Sequence, residues 1–246
     1  MKIENKIHKN LLKEIDDLKA GTKKTDTKWV SKYLGTDKIF HGFNTAQIKG
    51  LAKSFIKEND MDEIKTIDLL NSLYQNGTTY TEMAVAGVIL GLSKSLLKNF
   101  KPNYLDLWLN YTHGWAENDV LCQSNFTSEI FLSNWSEWKN ILKQFNQSSN
   151  INKRRASLVL LTKSLRQSDD KRLSELAFEN IENLKSEKEI LITKAVSWLL
   201  RSLVKFHKDE VAKYLKENKE NLPKIAYREA LAKVETGRKN RKISGK

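Results

Sequence analysis

Apolar residues fall every three or four positions along almost the whole chain. Ile3, Ile7, Leu11, Leu12, Ile15 and Leu18 set the pattern, which puts one apolar stripe on a helix and predicts a helix over 3–18 that ends at Gly21. The same reading predicts helices over 29–34, 46–57, 62–74, 80–97, 102–111, 115–132 and 133–145. Beyond these it predicts helices over 151–165, 170–184, 188–206, 209–218 and 223–234. The links are short and polar and often begin with Ser, Asp or Pro at a capping position, with Thr45 placed to cap the helix over 46–57. Two prolines and ten glycines are too few for a turn-rich β fold, so the class is all-α.

The pattern also repeats. Leu92-Ser93-Lys94-Ser95-Leu96, Leu161-Thr162-Lys163-Ser164-Leu165 and Leu199-Leu200-Arg201-Ser202-Leu203 share one form. The second and third lie 38 residues apart, and the first and second 69 apart, close to twice that period. Residues 170–180 and 208–218 align at the same 38-residue offset, both closing on Glu-Asn. A two-helix unit recurring every 35 to 40 residues is the mark of HEAT-like arrays. The expected architecture is therefore an all-α, HEAT-like helical-repeat superhelix, an alpha-alpha solenoid with a concave basic face. It is expected as a single repeat domain over 1–236, followed by a basic, disordered tail over 237–246.

Charge narrows the partners. Forty-three Lys and Arg against thirty Asp and Glu give +13 over 246 residues; the tail contributes five cations and no acid, so the body is basic too. Such a surplus favours polyanions through counterion release and steering. It does not choose between DNA, RNA and an acidic protein. The single cysteine, Cys122, excludes an intrachain disulfide and a cysteine-rich metal site. The longest apolar run, Met83 to Leu92, is about half of what a membrane span needs. No signal sequence is read at the N-terminus, so a cytoplasmic protein with no membrane partner is expected.

Several chemistries find no motif. There is no Gly-rich phosphate loop, no H-E-x-x-H and no Cys/His cluster, so neither metal nor cofactor is expected. The histidines His8, His41, His113 and His207 are scattered. What remains is Trp115-Ala116-Glu117-Asn118-Asp119, where an aromatic plane and a carboxylate four residues apart share one helix face. Glu117 and Asp119, two residues apart, point to different faces. They are not expected to work as an acid–base pair, and loss of the Glu117 charge is expected to change activity and DNA affinity little. Lys153-Arg154-Arg155 opens a later helix, and Trp198 lies in Lys194-Ala195-Val196-Ser197-Trp198-Leu199-Leu200-Arg201.

Taken in order, these pieces resemble the AlkD-type DNA alkylation-repair glycosylases, built from HEAT-like repeats, over roughly residues 33–232. Gly42-Phe43-Asn44-Thr45-Ala46-Gln47-Ile48-Lys49 is similar to the family's Gly-aliphatic-x-Thr-Pro-x-x-Arg opening, with Ala46 for the proline and Lys49 for the arginine. Tyr80-Thr81-Glu82 resembles its helix that opens with a glutamate, and Trp115-x-x-x-Asp119 and Arg155-Ala156 follow in order. Lys194-Ala195-x-x-Trp198-x-Leu200-Arg201 departs from the family run only in having Ser197 for a glycine, and Arg228-Glu229-Ala230-Leu231 matches the family's end. The resemblance implies roles: Asp119 as the catalytic carboxylate, with Trp115 and Trp198 as aromatic walls around the lesion's deoxyribose. It implies that Arg155 contacts a nearby phosphate, and it puts Arg154, Lys153, Lys194, Arg201 and Lys49 on the DNA. It further implies action within the duplex, without base flipping.

Chemistry fits that implication. A purine alkylated at N3 or N7 is a cation and leaves without strong acid assistance. As its glycosidic bond stretches, positive charge moves to the sugar. A fixed carboxylate stabilises that charge and orients water, and tryptophan faces favour cations. The expected protein is a monomeric, monofunctional DNA glycosylase for cationic alkylpurines such as 3-methyladenine or 7-methylguanine, acting on double-stranded DNA and associated with the nucleoid when bound. Two alternatives stand: a catalytically silent paralogue gripping distorted or branched DNA, and a HEAT-type scaffold for an acidic protein.

Overall fold

The 3.6-residue spacing is realised as α-helix throughout the computed structural model, which describes residues 3–20, 27–123 and 125–240. The predicted end of the first helix at Gly21, and residues 241–246 of the expected tail over 237–246, lie outside these residues. The protein has an alpha-alpha helical-repeat fold. Among the described residues the one extended pairing is an isolated parallel bridge between Ile39 and Thr79. The chain packs as two compact units, Met1–Asn125 and Phe126–Lys246.

The first unit contains α1 (Lys6–Ala20), α2 (Thr27–Leu34), α3 (Thr45–Glu58), α4 (Glu63–Asn76), α5 (Tyr80–Leu92), α6 (Lys94–Lys98), α7 (Asn103–Trp108) and α8 (Gly114–Cys122). α3, α5 and α8 lie side by side in one layer, and α1, α4 and α7 form the layer behind, tied across by α1 against α3 and α4 against α5. α5 is apolar nearly all round and buried from Thr81 to Gly87, as a helix at the centre of a core must be. Gly87 lets α8 come close: a Cβ there would stand 2.2 Å from Val120 Cγ1 and 2.7 Å from the Val120 carbonyl oxygen.

Capping decides where these helices begin. Asn44, not Thr45, caps α3, in a reciprocal box with Gln47. Thr79 and Glu82 form the same box at α5. There Glu82 Oε2 accepts from the backbone N–H of Thr78 and Thr79, while Oε1 meets His8 Nε2 at 2.8 Å. His8 and Glu82 are both fully buried, and the other ring nitrogen of His8 lies 2.8 Å from Ser72 Oγ. The pair therefore pins α1 to the start of α5.

Three predicted helices are each divided in two. The span over 80–97 breaks at Ser93, whose hydroxyl donates to the Ile89 carbonyl. The span over 115–132 ends as α8 at Cys122, where buried Asn125 donates to the carbonyls of Val120 and Leu121. The span over 151–165 becomes α11 and α12, interrupted at Leu160.

The second unit contains α9 (Ser128–Ser133), α10 (Trp135–Asn146), α11 (Ile151–Val159), α12 (Leu161–Ser164), α13 (Lys171–Leu184), α14 (Ile190–Leu203), α15 (Lys208–Glu217) and α16 (Lys224–Thr236). Its pairs α10/α11, α13/α14 and α15/α16 stack, with α11, α14 and α16 forming one row. Polar ties join successive pairs. Asn146 donates to the Asn180 carbonyl at 3.1 Å and accepts from Asn183 at 2.9 Å, and one pair later Lys185 reaches Asn218 at 2.6 Å. Arg166, just after the second repeat piece, donates to Ser202 in the third. Gly237 ends α16 in the left-handed region at φ 70°.

Candidate active site

The first turn of α8 is fixed by a contact that two glycines make possible. Gly35 and Gly114 both have positive φ, and a Cβ on Gly114 would stand 2.1 Å from the Gly35 carbonyl oxygen. Any larger residue would push the end of α2 away from the start of α8. Held this way, Trp115 donates its indole N–H to the Tyr33 carbonyl at 2.6 Å and sets its ring edge-on to the Tyr33 ring, with centroids 5.3 Å apart. Tyr33 in turn lies parallel to Trp29. Neither Tyr33 nor Trp29 was singled out from the sequence, although their four-residue spacing was a signal.

Glu117, one turn into α8, is buried and engaged on both oxygens. Thr36 Oγ1 donates to one; Lys38 Nζ at 2.7 Å and the His113 N–H at 2.9 Å donate to the other. Lys38 also donates to the Tyr111 carbonyl. Its partners give Glu117 a structural role that the sequence reading did not assign. The carboxylate is the hub that fastens the 36–38 segment to α8.

Asp119 lies on the next turn, one turn beyond Trp115, and is 9% exposed. Both residues thus sit on one short helix, Trp115 half-buried at its start and Asp119 nearly buried one turn on. Tyr80 opens α5 nearby. Its hydroxyl is raised above the ordinary tyrosine value by burial first, and then by the negative charges of Glu117 and Asp119. Lys49, the cation of the opening motif, is exposed on α3.

The remaining expected residues belong to the second unit. On α11, Arg155 is 4% exposed and donates to the Leu191 carbonyl at 2.5 Å. It ties α11 to the start of α14, a placement unlike the open phosphate contact that the resemblance implies. Arg154 is bound by Glu187 at 2.8 Å and by the carbonyls of Ser148 and Ser149, and Lys153 is half-exposed. On α14, Lys194 is exposed and Trp198 is half-exposed. Arg201 lies 3.5 Å from Glu229, whose carboxylate also accepts from Ser197 Oγ at 2.7 Å. Burial lowers the Arg201 pKa, Glu229 opposes the shift, and the charge of Arg166 adds to it. Ser197, which stands where the resemblance has glycine, is thus part of this network.

Among the described residues no group of three or more His, Cys, Asp and Glu could hold a metal ion, and no helix is long and apolar enough to cross a membrane.

The helical-repeat fold belongs to a class that the comparisons with known proteins name. The sequence pattern of the DNA alkylation repair enzymes matches residues 15–234, and the chain belongs to that family. Among solved structures it is similar to a predicted DNA alkylation repair enzyme from Enterococcus faecalis. The two are 21% identical with a TM-score of 0.67, over 83% of this chain and 92% of the other. No curated protein matches the chain.

Proposed function

We propose that the protein is a monofunctional DNA glycosylase that removes cationic alkylated purines, of the 3-methyladenine or 7-methylguanine type, from double-stranded DNA without flipping the base. The observation that carries this reading is the placement of Asp119 on α8, one turn from Trp115 and 9% exposed. A carboxylate so placed, in a water-poor setting on a rigid helix, suits the stabilisation of positive charge that appears only as the glycosidic bond breaks.

In the reaction proposed, the bond between C1′ and the purine nitrogen breaks, and its electron pair neutralises the alkylated base. The sugar gathers positive charge, which the Asp119 carboxylate stabilises and the Trp115 face favours. Water adds to C1′ and gives up a proton, leaving an abasic site and the free base. The lesion's own charge makes the base a good leaving group, so neutral purines gain little from the same arrangement.

For the second unit, the proposal assigns Trp198 to the sugar of the lesion, as the resemblance implies. It assigns backbone phosphates to Lys153 and Lys194, and in the first unit to Lys49, because these three keep exposed surface. Arg154, Arg155 and Arg201 then hold the helices that present the cations, with phosphate contact left to whatever guanidinium donors remain. Incubation with duplex DNA carrying a 7-methylguanine, with assay of the released base, tests the reading. Binding without release would establish the silent DNA-binding alternative in its place.

A further inference from the structure

Trp29 and Tyr33 are placed as core residues seldom are. They stand one turn apart on α2, with rings nearly parallel at 5° and centroids 5.6 Å apart, yet Trp29 is 66% exposed and Tyr33 59%. Two large rings stacked on each other, Tyr33 braced by the Trp115 ring and Trp29 two-thirds exposed, form a flat aromatic step. It is not loosely hung. The Tyr33 carbonyl receives the Trp115 indole N–H, and the close Gly35–Gly114 approach fixes the end of α2 against α8.

We propose that Trp29 and Tyr33 form a stacking platform for one unpaired nucleobase of the DNA. This inference rests on the reading of the protein as a DNA glycosylase and adds a site to it. A base within an intact duplex has both faces covered by its neighbours and offers nothing to such a step. An unpaired base has a free π face, and every base has one, so the platform recognises the unpaired state and not the sequence. The charges around it suit a nucleic-acid strand. α2 has no acidic residue, Lys32 beside Tyr33 is exposed, and the carboxylate of nearby Glu117 is neutralised by Lys38.

The test compares two duplexes of equal length, one fully paired and one carrying a single-adenine bulge. Both are titrated against the parent protein, Trp29→Ala and Trp29→Phe by fluorescence anisotropy. Parent protein should prefer the bulged duplex on the order of tenfold, the range that stacking one base on an aromatic ring supplies. In Trp29→Ala the ratio should fall to near one, and Trp29→Phe should restore most of it. A parent ratio near one, or an unchanged ratio in Trp29→Ala, overturns the platform. So does a parent dimer in sedimentation that Trp29→Ala dissolves, because the rings would then be covered by a second copy. Base release from alkylated duplex by the parent protein, run alongside, separates the two ideas. Release without Trp29-dependent bulge preference sinks only the platform, while no release sinks the glycosylase reading.

Discussion

Lys38 and Glu117 meet at 2.7 Å with the carboxylate fully buried, joining a loop residue to the helix that carries Trp115 and Asp119. Removing one partner of such a pair leaves the other charge without compensation, a cost of about 3–5 kcal/mol when both are deeply buried. Lys38 keeps some exposure and glutamine retains some hydrogen bonding, so Glu117→Gln should cost roughly 2–3 kcal/mol. Urea unfolding checks this; a loss under about 0.5 kcal/mol, the scatter of ordinary surface changes, would show that the contact is ornamental.

Gly114→Ala should be at least as damaging. The left-handed backbone costs an L-residue roughly 1–2 kcal/mol, and the added Cβ would stand 2.1 Å from the Gly35 carbonyl oxygen. The end of α2 must then move, and with it the Tyr33 carbonyl that orients Trp115. The expected result is a lowered melting temperature together with a base-release rate that falls even at temperatures where the variant is folded. Gly50, with nothing within 4 Å of its would-be Cβ, is the control: Gly50→Ala should be neutral or stabilising.

Arg155→Ala and Lys194→Ala should part company. Arg155 is buried and bonded to the Leu191 carbonyl, so its loss should cost about 1–3 kcal/mol of stability through an unsatisfied acceptor and lost packing. Lys194 is exposed on the helix that bears Trp198. Its loss should leave stability alone, weaken all duplexes about equally and make the salt dependence shallower by roughly one unit. If Arg155→Ala gives the shallower salt slope with unchanged stability, then Arg155 is the phosphate ligand.

The helices were legible in the sequence because burial of one face imposes the 3.6-residue period, and the repeat was legible because equivalent helices meet equivalent neighbours. The breaks at Ser93 and after Cys122 were not. Apolar positions recur at helical spacing across both, Leu92 with Leu96 and Cys122 with Phe126, and at each break a side chain, Ser93 or Asn125, bonds to the preceding carbonyls. The pairing of Trp115 with Asp119 on one helix could be read from spacing alone. The role of Glu117 could not, since its partners Thr36 and Lys38 lie about eighty residues earlier. Lys153-Arg154-Arg155 looked like an open basic cluster for the same reason: the carbonyl and carboxylate that engage its arginines belong to residues 187 and 191.

Acid should weaken the first unit through Glu82. Burial alone would raise its carboxyl, but hydrogen bonds from His8 and Thr79 and the charge of His8 outweigh it, holding the group below its ordinary value of 4.5. A carboxyl depressed in the folded state stabilises fully above the ordinary value, and that contribution is lost as pH falls through the depressed one. Glu82→Gln should therefore be less stable than the parent at pH 7, with the gap narrowing as pH drops below about 4.5. A gap that stays constant with pH would mean that the carboxylate charge plays no part.

In the proposed reaction the Asp119 carboxylate acts on charge developing at the sugar. Asp119→Asn keeps the shape and removes the anion, and the decisive measurement is its single-turnover rate of 7-methylguanine release from duplex DNA, taken at saturating protein after confirming parental melting. The rate should fall by on the order of a hundredfold to a thousandfold, equivalent to about 3–4 kcal/mol of lost transition-state stabilisation, with duplex affinity kept or improved. Release at near the parental rate would contradict it and return Asp119 to a structural place on α8.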